Sequence, residues 1–300
     1  MRLVPILLAA VLAGGAAASP TVVAPGAVSA VALDEGRSVF ATARECGGVR
    51  VWRPSGRSVL RIGKPRACPQ TSTGAALADV AVAGNRVLWL EYVGGNLREW
   101  SLFTGTTTRP QARRLRLVTN EAGDDAPIVL GGGDGTRLGG LLPYAVGRAV
   151  VVLRVSGGRR FSWAAPALVT ALDADQRQVA VATLGGLLTI LDSNGDFARR
   201  ERFPGRISTL RITGNGVAAQ YGRTVEVRGA GPSQTTLLPR GGRLVGAAGG
   251  RVYYASGAEV RVRSLADGRD TLVAVGTLAD VDGNTVIVAA GRRLRALRAT

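Results

Sequence analysis

Apolar and polar residues alternate along this chain in short runs that stop at glycine and then start again. The final example is NTVIVAAGRRLRALR, residues 284 to 298, in which two alternating runs flank Gly291. A period of two over six residues, a glycine-bearing turn and a second such run describe a β-hairpin. Six further copies precede it: RSVFATARECGGVRVWRPSG from Arg37, NRVLWLEYVGGNLREWSLFTG from Asn85, GRAVVVLRVSGGRRFSWAA from Gly147, RQVAVATLGGLLTILDSNG from Arg177, NGVAAQYGRTVEVRGAG from Asn215 and GRVYYASGAEVRVRSLADG from Gly250. No stretch carries the 3.6-residue period of a helix of useful length.

Val39, Val87, Val150, Val179, Val217, Val252 and Val286 open these pairs, and all but one of their spacings fall between 29 and 48 residues, which marks a repeat array. A narrow strand of small residues precedes most pairs, as at Leu77 to Val82, Ile207 to Ile212 and Leu278 to Val281. A fourth run follows most, as at Ser58 to Ile62, Arg113 to Val118 and Thr271 to Val275. Four antiparallel strands per unit, with the smallest side chains on the innermost, describe the blade of a β-propeller. The fold class expected is all-β, a seven-bladed propeller of four-stranded antiparallel blades, with six blades as the alternative count. The last unit has only three strands before Thr300, so Thr21 to Ala24 is expected to pair beside Arg292 to Arg298 and close the ring, since an unpaired edge there would be costly.

These repeats resemble those of the WD-repeat-like and YVTN-repeat-like propeller superfamily, over residues 20 to 300. Trp52, Trp100 and Trp163 are read as matching third-strand positions in the first three blades, with Leu191, Arg228, Arg263 and Leu297 as the later equivalents. The Trp-Asp and Gly-His pairs of a true WD repeat are missing, so the resemblance implies the fold and not that repeat's hydrogen-bonded tetrad. The tryptophans are expected to pack between neighbouring blades.

The irregular interval is the 63 residues from Val87 to Val150. Its excess, NEAGDDAPIVLGGGDGTR, is expected to form an insertion loop at 120–137 carrying Asp124, Asp125 and Asp134. Such a carboxylate cluster reads either as a calcium or cationic-substrate site or as a solvated Asp/Gly turn. Asp79, Thr209 and Asp280 are placed at equivalent points of inner strands, where they either line the channel mouth or cap backbone amides. The DSNGD segment from Asp192 lacks the glutamate of a calcium loop and is read as the hairpin turn of blade four.

Composition adds the setting. Arg2, an apolar run from Leu3 to Ala13 and Ala16-Ala17-Ala18 have the order of a signal peptide at 1–18, with an uncleaved anchor as the alternative. An extracytoplasmic location follows, and there the two cysteines, Cys46 and Cys68, are expected to form a disulfide. The net charge is +17, almost all from arginine, since Lys64 is the sole lysine. Such a composition is what a GC-rich bacterial genome writes, and it also favours polyanions. Arginines gather on expected outer strands, at Arg57 and Arg61, at Arg113, Arg114 and Arg116, and at Arg199, Arg200 and Arg202; they either form a basic rim or protect edges.

The absence of histidine excludes Ser-His-Asp and Cys-His nucleophilic systems and His-ligated zinc. Sialidase-type S-x-D-x-G-x-x-W boxes are also missing. The expectation is a noncatalytic, monomeric binding scaffold for a protein or envelope polymer, with no cofactor beyond a possible Ca2+ and nucleic acid not expected as a partner. The alternatives are an arginine-rim polyanion binder and a carboxylate-dependent hydrolase or lyase at the channel mouth.

Overall fold

The computed structural model describes residues 19–56, 58–121, 124–133, 140–214, 216–229 and 231–298. The expected signal segment, Arg57, Asp134 and Arg137 lie outside the described residues. Seven four-stranded antiparallel sheets account for all 28 strands, and no helix occurs among the described residues.

From inside outward, blade one is β2 (Val28–Asp34), β3 (Arg37–Thr42), β4 (Glu45–Trp52) and β5 (Val59–Ala67). Blade two is β6 (Ala75–Ala83), β7 (Arg86–Val93), β8 (Leu97–Thr106) and β9 (Arg109–Glu121). Blade three is β10 (Ile128–Leu130), β11 (Leu141–Val146), β12 (Ala149–Arg154) and β13 (Arg159–Ala164). Blade four is β14 (Val169–Ala174), β15 (Gln178–Thr183), β16 (Leu187–Asp192) and β17 (Phe197–Arg202). Blade five is β18 (Ile207–Thr213), β19 (Gly216–Tyr221), β20 (Thr224–Arg228) and β21 (Gln234–Leu237). Blade six is β22 (Arg243–Ala248), β23 (Arg251–Ser256), β24 (Glu259–Ser264) and β25 (Asp270–Val275). Blade seven is β26 (Leu278–Asp282), β27 (Thr285–Ala290) and β28 (Arg293–Arg298), completed by β1 (Thr21–Val23) as its outermost strand.

The ring therefore closes as expected. Thr21 pairs with Arg295 and Val23 with Arg293. The Ala24 amide donates to the Arg292 carbonyl at 2.7 Å, and the Ala296 amide donates to the Pro20 carbonyl at 3.0 Å. Val22 and the buried Ala24 pack into a cluster with Phe40 and Trp52 of blade one and Leu294 of blade seven, so the seam is also an apolar contact between first and last blades.

Tight turns hold the inner hairpins: Glu35 and Gly36 take φ of 46° and 65°, the left-handed pair of a two-residue hairpin loop. Five innermost strands carry a bulge where they pair with the second strand, as between Leu77 and Asp79 and between Ile207 and Thr209. A bulge adds local twist and shifts which residues face the axis.

Blade three departs from the sequence expectation. Ile128–Leu130, inside the stretch expected to be an insertion loop, is a strand that pairs with Leu141–Val146, so the stretch supplies the innermost strand of the blade. The pair from Gly147 thus forms the third and outermost strands rather than the second and third. Asn120 and Glu121 likewise belong to the end of β9. The strand was hidden because only three residues of it pair before Gly131-Gly132-Gly133, too few for alternation to register.

The three tryptophans consequently occupy different positions. Leu191, Arg228, Arg263 and Leu297 do face the repeat valines of blades four to seven, but the counterparts of that position are Val51 in blade one and Gly105 in blade two. Trp52 is one residue beyond, Trp100 pairs with Tyr92, and Trp163 lies on the outermost strand. Their packing is between blades, as expected: Trp52 meets Ile287 and Leu294 of blade seven, Trp100 groups with Leu142 and Tyr144 of blade three, and Trp163 with Leu172 and Val179 of blade four.

Candidate functional site

The innermost strands enclose a central cavity of about 310 Å³, walled by every blade. Small side chains allow the strands to converge there, and in blade three they are glycines. A Cβ on Gly132 would lie 2.2 Å from Asp173 Oδ1, and one on Gly133 would lie 2.6 Å from the Leu141 carbonyl oxygen. Only glycine fits that wall.

Asp79, Thr209 and Asp280 all line this cavity. Their registers differ, however. Asp79 and Thr209 follow the bulges of β6 and β18 and pair with Leu90 and Gln220. Asp280 pairs with Ile287, directly after the repeat valine, a position shared by Asp173 opposite Ala180 and Arg211 opposite Ala218. Asp173 and Arg211 are the residues that sequence reasoning missed. Counting each inner strand backward from its hairpin would have aligned them.

The ring is stitched by these side chains, each reaching into the next blade. Asp280 Oδ2 accepts the Leu33 amide of blade one at 2.8 Å. Asp173 Oδ2 accepts the Ile212 amide of blade five at 2.5 Å. Arg211 Nε donates to the Val245 carbonyl of blade six at 3.0 Å, and its Nη2 lies 3.4 Å from Asp280 Oδ1. Near the hairpins, Asp34 accepts the Gly84 amide of blade two, and Asp282 Oδ2 accepts the Glu35 amide of blade one at 2.7 Å. Innermost strands of adjacent blades have no ladder between them, so carboxylates capping the neighbour's amides satisfy groups that would otherwise be orphaned.

Crowding acids in a walled cavity has an electrostatic consequence. Burial pushes the Asp173 carboxyl up to about 7, against the opposing pull of the Arg211 guanidinium and the Ile212 amide. Asp79 is wetted by the cavity but surrounded by protein rather than bulk solvent; this enclosure raises it to about 6, although the Val80 amide, Arg211 and Arg243 favour its anion. Asp280 is raised by the same cause. For Arg211, burial opposes the charge, but Asp280, Asp173 and Asp79 together outweigh it and hold the guanidinium protonated.

The remaining sequence candidates are dispersed. Cys46 and Cys68 are joined, with Cα atoms 4.9 Å apart, at the rim where β4 begins and β5 has ended. Asp124 and Asp125 are exposed, and Asp125 pairs at 2.9 Å with Arg206 of this same chain. Among the described residues no cluster of three Cys, Asp or Glu side chains could hold a metal ion. Asp192 Oδ1 accepts the amides of Asn194 and Asp196 at 2.8 and 2.9 Å, the Asx turn of the blade-four hairpin. Arg113, Arg114, Arg116, Arg200 and Arg202 are exposed on β9 and β17, while Arg199 is half-buried and pairs with Glu201 at 3.1 Å. No helix among the described residues is long and apolar enough to cross a membrane.

No protein-family profile matches the sequence, and no curated protein matches it. Solved structures do match. A chain in the crystal structure of a mitotic checkpoint complex is 12% identical, with a TM-score of 0.59 over 93% of this chain and 94% of that one. Raptor from Chaetomium thermophilum is 11% identical, with a TM-score of 0.57 over 93% of this chain, which spans only 28% of the Raptor chain. At these identities the likeness concerns fold. With seven blades, four strands in each and a seam closed by the first strand, this chain is a seven-bladed β-propeller, and the solved structures share that fold.

Proposed function

We propose that the protein is a noncatalytic interaction scaffold of an extracytoplasmic compartment, holding a protein or envelope polymer on its outer surface. The observation that carries this reading is the use made of the central ionisable groups. Asp173, Asp280 and Arg211 bond to the backbone of the next blade, which makes them part of the ring's construction. Exposed cations are available on the circumference, on β9 and β17. The disulfide accords with an oxidising compartment.

A second reading, a carboxylate-dependent hydrolase or lyase, draws on Asp79, a wetted carboxyl raised to about 6 inside a cavity, the state suited to a general acid. One experiment separates the two. Wild type and an Asp79→Asn, Asp280→Asn double variant are incubated with an isolated cell-envelope fraction, and both co-sedimentation and release of soluble polymer fragments are measured. The scaffold reading expects equal co-sedimentation of the two proteins and no release by either. Fragment release by wild type that the double variant lacks would replace it with the enzyme reading.

A further inference from the structure

The circumference is divided electrically. The outermost strands of blades one to four, β5, β9, β13 and β17, carry three, four, two and three Lys or Arg residues, twelve in all, against two acids, Glu121 and Glu201. The outermost strands of blades five to seven, β21, β25 and β1, read QTTL, DTLVAV and TVV and carry no cation. Among the described residues, Arg199 is the only one of the twelve cations with a carboxylate in ion-pair range. Farther in on blades five and six, two cations are neutralised where they stand, Arg228 by Glu226 at 2.7 Å and Arg261 by Asp270 at 2.9 Å. Blade seven continues the positive charge to the seam through exposed Arg293 and Arg295 on β28, beside blade one.

Edge protection does not account for this division. If arginine were present only to keep exposed edges from pairing, every blade would need it. The edges without cations expose Leu237, Leu272, Val275 and Val23, each at 46% or more, and the basic edges expose Leu117 and Phe197 to a similar degree, so the cations do not follow the apolar surface that edge protection would guard. The split is also hidden in the sequence until blade three is read correctly, because that shift moves Arg159 and Arg160 onto an outermost strand.

We propose that the outer strands of blades one to four bind a flexible linear polyanion, a polymer of phosphate or sulfate groups, that wraps along the arc and leaves blades five and six free. The proposal rests on the scaffold reading and names its partner's chemistry and its site. Curvature selects the polymer over a flat anionic membrane. Seven blades turn the outward direction by about 51° each, so across four blades it turns by roughly 150°. A plane meets one or two such blades, and attraction fades within a Debye length of about 8 Å at physiological salt. A chain follows all four.

The test measures binding of long-chain inorganic polyphosphate as a function of salt. Three proteins are compared: wild type, an arc variant (Arg113→Gln, Arg114→Gln, Arg116→Gln) and a control (Arg240→Gln, Arg251→Gln, Arg269→Gln). The control removes the same three charges from exposed positions around blade six. Wild-type affinity should fall steeply with salt. The arc variant should bind at least tenfold more weakly, with a log–log salt slope shallower by about 0.7 to 0.9 per arginine removed. The control should stay within about threefold of wild type, the remaining effect of net charge. Equal losses in arc variant and control would overturn the proposal, since net charge alone would then explain binding. So would strong arc-dependent binding to phosphatidylglycerol vesicles without binding to polyphosphate, which would make the arc a membrane contact. If wild type ignores polyphosphate yet still co-sediments with the envelope fraction, the arc assignment fails and the scaffold reading stands; loss of both removes both.

Discussion

Replacing both cysteines with alanine tests how blade one is held. The Cys46–Cys68 bridge joins residues 22 apart in sequence. The chain-entropy relation for a loop of that size gives about 11 cal/mol/K, or ~3.4 kcal/mol at 25 °C, lost from the unfolded ensemble's favour. The native blade has little other need of the bridge. β4 and β5 pair from Glu45 with Ala67 to Trp52 with Val59, and the Cys68 amide donates to the Arg44 carbonyl at 2.9 Å, so both ends are held without sulfur. The loss should therefore appear as stability and not as altered structure. At about 2.1 cal/mol/K per residue, the entropy of unfolding a chain of this length is roughly 0.6 kcal/mol/K, which converts 3.4 kcal/mol into a Tm lower by about 6 °C. Differential scanning calorimetry of Cys46→Ala, Cys68→Ala beside wild type measures this, and wild type in strong reductant should fall by a similar amount. A Tm within 1 °C of wild type would refute the entropic account. A fall beyond about 12 °C would refute it differently, by requiring that the bridge hold native packing that the ladder alone cannot.

Three other perturbations have defined outcomes. Starting the chain at Gly26 removes β1 and uncovers Leu294 and Trp52 at the seam, so its Tm should fall below that of the chain starting at Ser19; equal melting temperatures would show that the seam contributes nothing. Arg211→Met leaves the raised carboxyls of Asp173, Asp79 and Asp280 without their shared cation. Because these groups bind protons more tightly when folded than when unfolded, stability falls as pH rises from about 4 through 7, and without Arg211 that fall should steepen. Urea titrations should thus place the variant ~3 kcal/mol or more below wild type at pH 8 and much closer at pH 5, while a pH-independent difference would exclude charge as the cause. Gly132→Ala sets a methyl against the Asp173 carboxylate and should destabilise by ~2 kcal/mol by the same titration, whereas a neutral result would mean that blade three can shift outward freely.

The sequence by itself determined what depends on local pattern. Alternation over six residues and glycine turns define hairpins, their recurrence counts seven blades, and the missing strand of the last blade requires Thr21–Val23 to complete it. The disulfide was legible for a simpler reason, because two cysteines leave a single intramolecular pairing. Tertiary structure decided whatever depends on register and neighbours. Ile128–Leu130 is too short to show a period, and it is a strand because blades two and four leave a place for one against β11. Bulges set Asp79 out of step with Asp280, so Asp280 shares its level with Asp173 and Arg211, two residues far apart in sequence that meet only when the ring closes. Their bonds run between blades, and a sequence repeat describes each blade without describing its contact with the next. The basic arc is similar in kind: every arginine was visible in the chain, but which of them lie side by side is a property of the closed circle.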